Sequence, residues 1–153
     1  MSDIRKLINL VEAKSKRPRA GTIPYYVDDN GQLFVCLFTS NNAAYGGTEP
    51  SVPKGGVNDG EDIMKGAERE THEETGIPLS QLTDTIPVKT TVVTGLTSSY
   101  ELHVFASRVQ AMTRLQPTQE GHGEWFAFED ALRQVRASHK LFLLALAQKL
   151  NYQ

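Results

Sequence analysis

The sequence predicts an α/β protein in which a central sheet lies between helices, an α/β/α sandwich. Strand-like segments fill the middle of the chain, and helical segments precede, interrupt and follow them. A chain of 153 residues with 39% hydrophobic residues can bury a sizeable core, and it shows no internal repeat or low-complexity linker. We therefore expect residues 1–153 to form one domain.

The first element is an amphipathic helix within residues 1–16. Its apolar face follows helical spacing and consists of Ile4, Leu7, Ile8 and Val11. We expect this helix to pack on the domain, to contact a second copy in a homodimer, or to bind a partner. Asp3 and Glu12 argue against a membrane-surface helix.

Two strands follow, at residues 20–27 and 32–39. The segment between them, Asp28-Asp29-Asn30-Gly31, has the composition of a hairpin turn because Asn-Gly tolerates positive φ. Cys36 falls inside the second strand, which is apolar, so we expect it in the core and not as a nucleophile. Residues 40–54 are predicted to form a loop broken by Gly46, Gly47, Pro50 and Pro53.

The next element is a helix over residues 63–75. Gly76 can supply its left-handed C-terminal cap, and Pro78 prevents its continuation. For the rest of the chain we predict strands at 87–96, 100–109 and 125–128, and a helical C-terminus at 129–150 that breaks near Ser138.

Composition narrows the class of protein. No apolar run approaches the roughly 18–20 residues that a membrane-spanning helix needs. A net charge of −2 gives no reason to expect nucleic acid as a partner. The N-terminus shows no apolar signal-peptide region, and the single cysteine excludes an intrachain disulfide. We expect a cytoplasmic protein that does not associate with membranes.

Three glutamates crowd one face of the predicted 63–75 helix. Glu70, Glu73 and Glu74 lie at i, i+3 and i+4, where like charges repel each other. A hard divalent cation such as Mg²⁺ would make this arrangement favourable, because it prefers oxygen ligands. A solvated acidic helix face is the alternative interpretation.

The spacing around these glutamates is specific. Gly55 is followed after five residues by Glu61, and after seven more by Arg69-Glu70-Thr71-His72-Glu73-Glu74-Thr75-Gly76-Ile77. This segment, residues 55–77, resembles the Nudix box, G-x5-E-x7-R-E-U-x-E-E-x-G-U with U an aliphatic residue. Thr71 departs from the pattern, and we expect slightly altered packing there and unchanged chemistry. The resemblance implies a Nudix α/β/α sandwich with a mixed central sheet.

The resemblance also implies a metal site. In the family, the glutamates at the positions of Glu70, Glu73 and Glu74 bind the catalytic cations, and one carboxylate of the site acts as base. Gly55 lets the backbone bring a carbonyl close to a cation, so it is a fourth expected ligand. We expect Mg²⁺ as the cofactor, with Mn²⁺ as the alternative.

Further site residues follow from the same comparison. Arg69 lies one turn before Glu73 and can orient its carboxylate, and Glu61 is expected to help order the loop. A later segment, Glu120-Gly121-His122-Gly123-Glu124-Trp125, looks like the metal-site loop of pyrophosphohydrolases that cleanse oxidised nucleotides. Glu120 is the first candidate there for a ligand or base and Glu124 the second, unless both merely decorate a loop. The expected catalytic residues are Glu70, Glu73, Glu120 and Arg69.

Specificity in this family lies outside the box. Pro53-Lys54-Gly55 resembles the corresponding segment of hydrolases that act on dinucleoside polyphosphates. Lys54 is therefore expected either to contact a phosphate or to be a solvated loop cation. Arg19 is a further phosphate candidate, beside Arg17, Lys89 and Arg108. Tyr100 is the aromatic candidate for stacking on a nucleobase, beside Tyr45, Phe105 and Trp125.

We therefore expect Mg²⁺-dependent hydrolysis of a phosphoanhydride bond in a nucleoside diphosphate linked to another group. Dinucleoside polyphosphates, ADP-ribose and FAD are the expected substrates. Three alternatives stay open: a nucleoside triphosphate pyrophosphohydrolase, an RNA 5′-pyrophosphohydrolase, and a non-catalytic Nudix domain that binds nucleotide or protein. The near-neutral charge argues against RNA, and the intact glutamates argue against a silent domain.

Overall fold

The structure, a computed structural model, describes residues 17–42, 48–94 and 98–153. The helix predicted within residues 1–16 and the stacking candidate Tyr45 lie outside these ranges. The elements follow in the order β1 (Arg19–Val27), β2 (Leu33–Ser40), β3 (Gly55–Gly56), α1 (Ile63–Thr75), a 3₁₀ turn (Leu79–Gln81), β4 (Thr83–Thr94), β5 (Ser99–Arg108), β6 (Gly121–Ala127), α2 (Phe128–Gln134), a second 3₁₀ turn (Ala137–His139) and α3 (Lys140–Lys149).

The strands form one mixed sheet. Their order is β4-β5-β1-β2-β6, and β3 pairs with β1 beside this path. β1 and β5 run parallel, whereas the pairs β1–β2, β1–β3, β2–β6 and β4–β5 are antiparallel. The mixed sheet implied by the resemblance is therefore confirmed.

Different helices cover the two faces of the sheet, because successive side chains of a strand point to opposite faces. On one face, Ala67 of α1 is buried with Ala20 of β1 and with Val57. On the other, α2 and α3 join the main core with side chains that include Phe128, Phe142, Leu143 and Leu146, packed with Ile23, Val35 and Val104 of the sheet. The predicted α/β/α sandwich is confirmed.

The hairpin between β1 and β2 forms as the sequence predicts. The two strands pair from Tyr25 opposite Val35 to Val27 opposite Leu33. The Asp28 carboxylate closes the turn by accepting hydrogen bonds from the backbone N–H groups of Asn30 and Gln32, at 2.9 and 2.8 Å.

Helix α1 has the predicted bounds, and both of its ends are capped. The Asp62 carboxylate accepts a hydrogen bond from the Lys65 backbone N–H at 3.1 Å, which satisfies a donor of the first turn. Gly76 takes the left-handed conformation with φ of 79° and donates its N–H to His72 O. The predicted glycine cap is confirmed.

Strand β4 begins at Thr83 and not at the predicted residue 87. Pro87 suggested the later start, since proline cannot donate to a strand ladder. In the structure the register shifts between Thr83 and Ile86 and again between Pro87 and Lys89. These irregularities, on an edge strand, let the chain pass through proline and stay paired with β5.

The predicted loop at residues 120–125 is wrong. Gly121–Ala127 forms strand β6, which pairs with β2 so that Gly121 lies opposite Ser40 and His122 opposite Thr39. Two glycines suggested a loop, but a strand ladder needs only backbone donors and acceptors, and β2 offers its free edge. The strand therefore starts before the predicted residue 125.

The C-terminal region is helical with a break, as predicted. Ser138 lies in the 3₁₀ turn between α2 and α3. His139, the last residue of that turn, is buried, and its Nδ1 accepts a hydrogen bond from the Val52 backbone N–H at 3.1 Å. Within the described ranges, no helix has the length and apolar character needed to span a membrane.

Candidate active site

A cavity of about 730 Å³ lies where β3, α1 and the start of β6 meet. Its carboxylates are Glu49, Glu70, Glu74 and Glu120, and its cationic side chains are Arg19, Lys54 and Arg136. Tyr100 and the backbone of Gly55 also line it. An acidic region and a basic region therefore share one space.

Helix α1 places Glu70 and Glu74 one turn apart on the cavity wall. Gly55 passes so close that a Cβ at this position would overlap the Glu70 carboxylate, so any side chain here would displace that carboxylate. The Lys54 backbone N–H donates to Glu74 Oε1 at 2.8 Å. The structure thus brings together three of the predicted metal ligands, Gly55, Glu70 and Glu74.

The two cavity carboxylates of α1 have raised pKa values. Burial raises the pKa of Glu74 to about 8, and the charges of Glu120 and Glu70 add to this effect against the opposing bond from Lys54. Burial also raises the pKa of Glu70, although Arg69 acts in the opposite direction. Without a cation, ionising these groups costs more free energy than ionising an exposed glutamate.

The donor set fits a divalent cation by its chemistry. Carboxylate oxygens and a nearby backbone carbonyl are the ligands that Mg²⁺ and Mn²⁺ prefer, and burial raises the pKa of Glu70 and Glu74 although Arg69 and Lys54 lie beside them. Among residues 17–42, 48–94 and 98–153, no three His, Cys, Asp or Glu side chains are already gathered as a metal cluster. Side-chain adjustment, water or substrate phosphate would have to complete the coordination.

Arg69 connects the loop before α1 to the helix. Its guanidinium donates twice to the Glu61 carboxylate, at 2.8 and 3.0 Å, and once to Gly56 O at 3.0 Å. It also donates to Glu70 Oε1 and Glu73 Oε1, both at 3.1 Å. The bonds from Arg69 hold the pKa of Glu61 at about 2. Arg69 is therefore placed to fix carboxylate orientation, as its spacing suggested.

Glu73 lies outside the cavity that the other two glutamates of the triad line. Its side chain is 48% exposed, against 16% for Glu70, and it pairs with Arg69. Neither Glu73 nor Arg69 lines the cavity. The structure thus divides the predicted acidic face into two cavity carboxylates and one outer carboxylate.

Glu120 reaches the cavity from the start of β6. The Asn41 backbone N–H donates to Glu120 O at 2.9 Å, which holds this segment beside the end of β2. The charge of Glu120 raises the pKa of both Glu70 and Glu74, so Glu120 lies close enough to interact electrostatically with both. Glu124, the second candidate, lies opposite Leu37 in the ladder, is exposed and does not line the cavity.

The three predicted substrate residues all line the cavity. Burial lowers the pKa of Lys54, and the charges of Arg19 and Arg136 lower it further. The Arg19 guanidinium carbon lies 4.7 Å from the centroid of the Tyr100 ring. A second cavity, of about 230 Å³, shares Arg19, Gly56 and Tyr100 with the first and adds Arg17, Ser98 and Ser99.

The other sequence candidates lie elsewhere. Lys89 and Arg108 line neither of these two cavities. Phe105 packs against the small core beneath α1, and Trp125 donates its Nε1–H to Thr113 O at 3.1 Å. Cys36 is fully buried, and burial raises the pKa of its thiol to about 12.

Sequence reasoning did not identify several lining residues. They are Arg136, Glu49, Ser40, Asn41, Asn42 and Gln119. The sequence analysis placed Arg136 within a predicted helix, but in the structure it lies at the break between α2 and α3. That break was the one available signal, since Arg136 lies two residues before the interruption predicted near Ser138. The other five residues belong to no sequence motif that would have identified them.

Comparisons of the chain with protein-family models and with solved structures point to the same family. The NUDIX domain model matches residues 16–146. No curated protein matches the chain. Similar solved structures include an Ap4A hydrolase of C. elegans in a binary complex (21% identity, 88% of this chain and 98% of that one, TM-score 0.73). Others are the M. smegmatis Nudix hydrolase RenU (17%, 90% and 87%, 0.74) and the NUDIX domain of Shewanella oneidensis NrtR complexed with ADP ribose (14%, 98% and 99%, 0.72).

Proposed function

Because the chain belongs to the NUDIX family, we propose that it hydrolyses a phosphoanhydride bond in a nucleoside diphosphate linked to another group, with the aid of Mg²⁺. Dinucleoside polyphosphates and ADP-ribose are the proposed substrates, followed by FAD. The observation that supports this most directly is the shared cavity, in which Glu70, Glu74 and Glu120 lie in the same space as Arg19 and Lys54.

The acidic region is the proposed metal site. Glu70, Glu74, Glu120 and the Gly55 carbonyl would hold Mg²⁺, with Mn²⁺ as the alternative. When bound, the cation would polarise phosphoryl oxygens and acidify a water molecule. Arg69 is proposed as a positioning residue, because it holds Glu70 and Glu61 without lining the cavity. In this arrangement Glu73 supports Arg69 from the solvent side.

Glu120 is the proposed general base. Glu70 already accepts a bond from Arg69, and Glu74 accepts one from the Lys54 N–H, so both are oriented by groups that favour their charged form. Glu120 comes from a different element and faces both of them. Its carboxylate would remove a proton from the water that attacks phosphorus in line with the leaving oxygen.

The basic region is the proposed phosphate site. Lys54, Arg19 and Arg136 lie close enough for their charges to lower the pKa of Lys54, so an anion between them would be stabilised. Tyr100 would provide an aromatic face for a nucleobase. The second cavity continues past Arg19 to Arg17, and among the described residues no carboxylate lines it, which favours a substrate whose phosphates extend beyond the cleaved bond.

Two of the neighbouring structures agree with this substrate class. One is described as an Ap4A hydrolase and another as a NUDIX domain complexed with ADP ribose. Both substances contain adenosine phosphates joined to a second group, which is the type of compound that a cavity with separate acidic and basic regions would accept.

A substrate panel tests the proposal. Diadenosine tetraphosphate, ADP-ribose, FAD, single nucleoside triphosphates and 5′-triphosphate RNA would each be incubated with Mg²⁺ or Mn²⁺, and the products separated by chromatography. We expect AMP from ADP-ribose and from the dinucleotide. Pyrophosphate released from a triphosphate, with no reaction of the dinucleotides, would favour the triphosphate alternative. Nucleotide binding without any turnover would favour a silent domain. Glu74→Gln, purified in parallel, controls for contaminating phosphatases.

A further inference from the structure

Thr71, the position that departs from the Nudix box, uses its hydroxyl in the core. Its side chain is fully buried. The Thr22 backbone N–H donates to Thr71 Oγ1 at 3.0 Å, and Thr71 Oγ1–H donates to Thr22 O at 3.2 Å. One hydroxyl therefore satisfies both backbone groups of a residue in β1, which an aliphatic side chain could not do.

The pairing of β1 explains why Thr22 needs this partner. β1 pairs with β3 through Arg19 and Ala20, and with β2 from Tyr25 onward. Between these two stretches, residues 21–24 are paired with neither strand, while β5 occupies the other side. The Thr71 hydroxyl fills this interruption and takes the place of a neighbouring strand.

A chain of side-chain hydroxyls also connects α1 to Thr22. Thr22 Oγ1 lies 2.7 Å from Ser107 Oγ, which lies 2.7 Å from Thr85 Oγ1. Thr85 Oγ1 donates to Glu68 Oε2 at 3.1 Å. Glu68 and Thr71 are three residues apart on one side of α1, so the helix is attached to Thr22 at two points.

We propose that Thr71 is a positioning residue whose hydroxyl sets the rotation and depth of α1 against β1, and so directs Glu70 and Glu74 into the cavity. The inference rests on the proposed hydrolysis. A rotation of the helix would move both carboxylates together, away from Gly55 and from the Lys54 N–H, which now donates a hydrogen bond to Glu74. Loss of the hydroxyl would leave the Thr22 backbone groups unsatisfied and remove one of the two attachments.

The test compares Thr71→Val with Thr71→Ser and with a matched control, Thr75→Val. Thr75 is also fully buried on α1, but its hydroxyl donates to Thr71 O at 2.7 Å and accepts from the Ile77 N–H at 3.2 Å. Each valine variant removes one buried hydroxyl and keeps a side chain of similar size. Thr71→Val removes an attachment to the sheet, whereas Thr75→Val removes bonds at the C-terminal end of the helix itself.

For Thr71→Val we expect kcat to fall by about 10- to 100-fold, the range that a misplacement of about 1 Å can produce. KM should change little, because Lys54, Arg19 and Tyr100 lie outside α1. The melting shift caused by Mn²⁺ alone should shrink. Thr71→Ser should restore kcat and the Mn²⁺ shift, and Thr75→Val should lower the melting temperature but keep both.

Three results would overturn the proposal. They are a Thr71→Val enzyme with wild-type kcat and Mn²⁺ shift, equal changes in the two valine variants, and a Thr71→Ser enzyme as impaired as Thr71→Val. If the wild-type chain hydrolyses no nucleotide, the proposed function fails, but the Mn²⁺ melting shifts still decide the role of Thr71. A wild-type protein that shows neither nucleotide hydrolysis nor a Mn²⁺ melting shift would also overturn the proposal for Thr71.

Should Thr71→Val fail to fold, Thr85→Val tests the second attachment. Thr85 is partly exposed at the edge strand β4, so its loss is tolerated more easily. A lower kcat with unchanged KM and a smaller Mn²⁺ shift would support the positioning role. Unchanged values would contradict it.

Discussion

Glu74 is subject to opposing influences at the cavity wall. Burial and the charges of Glu70 and Glu120 raise its pKa to about 8, while the bond from the Lys54 N–H favours the ionised form. A carboxylate in this setting gains most from a cation, since the cation removes the repulsion that the protein leaves uncompensated. A substitution that removes the charge of Glu74 should therefore lower activity strongly.

We predict that Glu74→Gln removes most activity and leaves the fold intact. Glutamine keeps the shape and can still accept the Lys54 N–H, but it lacks the charge that holds a divalent cation. Steady-state kinetics at saturating Mg²⁺, with circular dichroism for folding, provides the measurement. Glu129→Gln is the control, because Glu129 is exposed, lies on α2 and accepts a hydrogen bond from the Tyr152 hydroxyl. Wild-type turnover in Glu74→Gln would remove Glu74 from the metal site.

Cys36 should have no catalytic role. Burial raises the pKa of its thiol to about 12, so it stays protonated at neutral pH and is a poor nucleophile. We predict that Cys36→Ala keeps near-normal turnover, with some loss of stability from a small cavity. The native protein should also resist alkylation by iodoacetamide until it is unfolded. A folded but inactive Cys36→Ala enzyme would contradict this expectation.

At the scale of elements, α1 is a capped helix that carries the acidic side chains. Asp62 satisfies a donor at its start and Gly76 ends it in the left-handed conformation, so its 13 residues are fixed at both ends. Arg69 adds a link to β3 through Gly56. The helix therefore presents its carboxylates from a rigid support, which suits a site that must hold a cation in a defined place.

We predict that Asp62→Ala lowers the free energy of unfolding by about 1 kcal/mol, or about 2–4 °C in melting temperature. The Lys65 N–H then loses its capping acceptor. Asp62→Asn should lose less, because its amide oxygen can cap in the same way. Urea unfolding of the three proteins checks this. Since Asp62 lies at the end of α1 remote from Glu74, kcat should stay near the wild-type value; equal stability of all three proteins would show that the cap contributes nothing.

At the scale of the whole molecule, the fold brings carboxylates from two elements into one cavity. Glu70 and Glu74 come from α1, and Glu120 is the residue just before β6. A ligand that binds the folded chain and not the unfolded one stabilises it by mass action. Metal binding should therefore be measurable as stability, without any assumption about the substrate.

We predict that Mg²⁺ together with AMP raises the melting temperature by about 5–10 °C when the bound ligands are near 100 times their dissociation constants. NaCl at equal ionic strength should give a smaller shift, because screening does not supply coordination. The double variant Glu70→Gln/Glu74→Gln should lose most of the shift, and Glu129→Gln should keep it. Equal shifts in the double variant and the wild type would mean that these glutamates do not form the metal site.

The stability of the metal-free protein should depend on pH. Between the ordinary pKa of Glu74, 4.5, and its folded value of about 8, the folded chain holds a proton that the unfolded chain lacks. Stability therefore falls as pH rises through this window and levels off above about 8. His139 acts in the opposite direction below pH 6.5, since burial lowers its folded pKa to about 3 and only the unfolded chain takes up the proton.

The window from pH 6.5 to 8 isolates the contribution of Glu74 from that of His139. Urea unfolding in EDTA should show a decline of at most about 1.4 kcal/mol per pH unit, the limit for one proton. Glu74→Gln should flatten this decline. A wild-type protein without the decline, or a variant that keeps it, would indicate that Glu74 ionises normally in the folded chain.

The sequence by itself determined the local parts of this protein. The bounds of α1, its glycine cap, the hairpin at Asp28 and the break near Ser138 depend on residues a few positions apart, so neighbouring side chains were enough to predict them. The spacing of the box likewise predicted the family, which the domain match confirms. Gly55, Glu70 and Glu74 came together because the box encodes a turn followed by a helix.

Which candidates share a cavity, and what Thr71 does, depends on contacts between distant parts of the chain. Glu73 and Glu74 are adjacent in sequence, but one pairs with Arg69 outside the cavity and the other faces Glu120, which follows it by more than forty residues. Arg136 joins Lys54 from a helix break, and β6 forms because β2 offers an edge. Thr71 resembles valine in shape, yet its hydroxyl completes the pairing of β1. In each case the partner is distant in the chain, and whether a polar group meets it depends on how the layers pack, which local spacing does not encode.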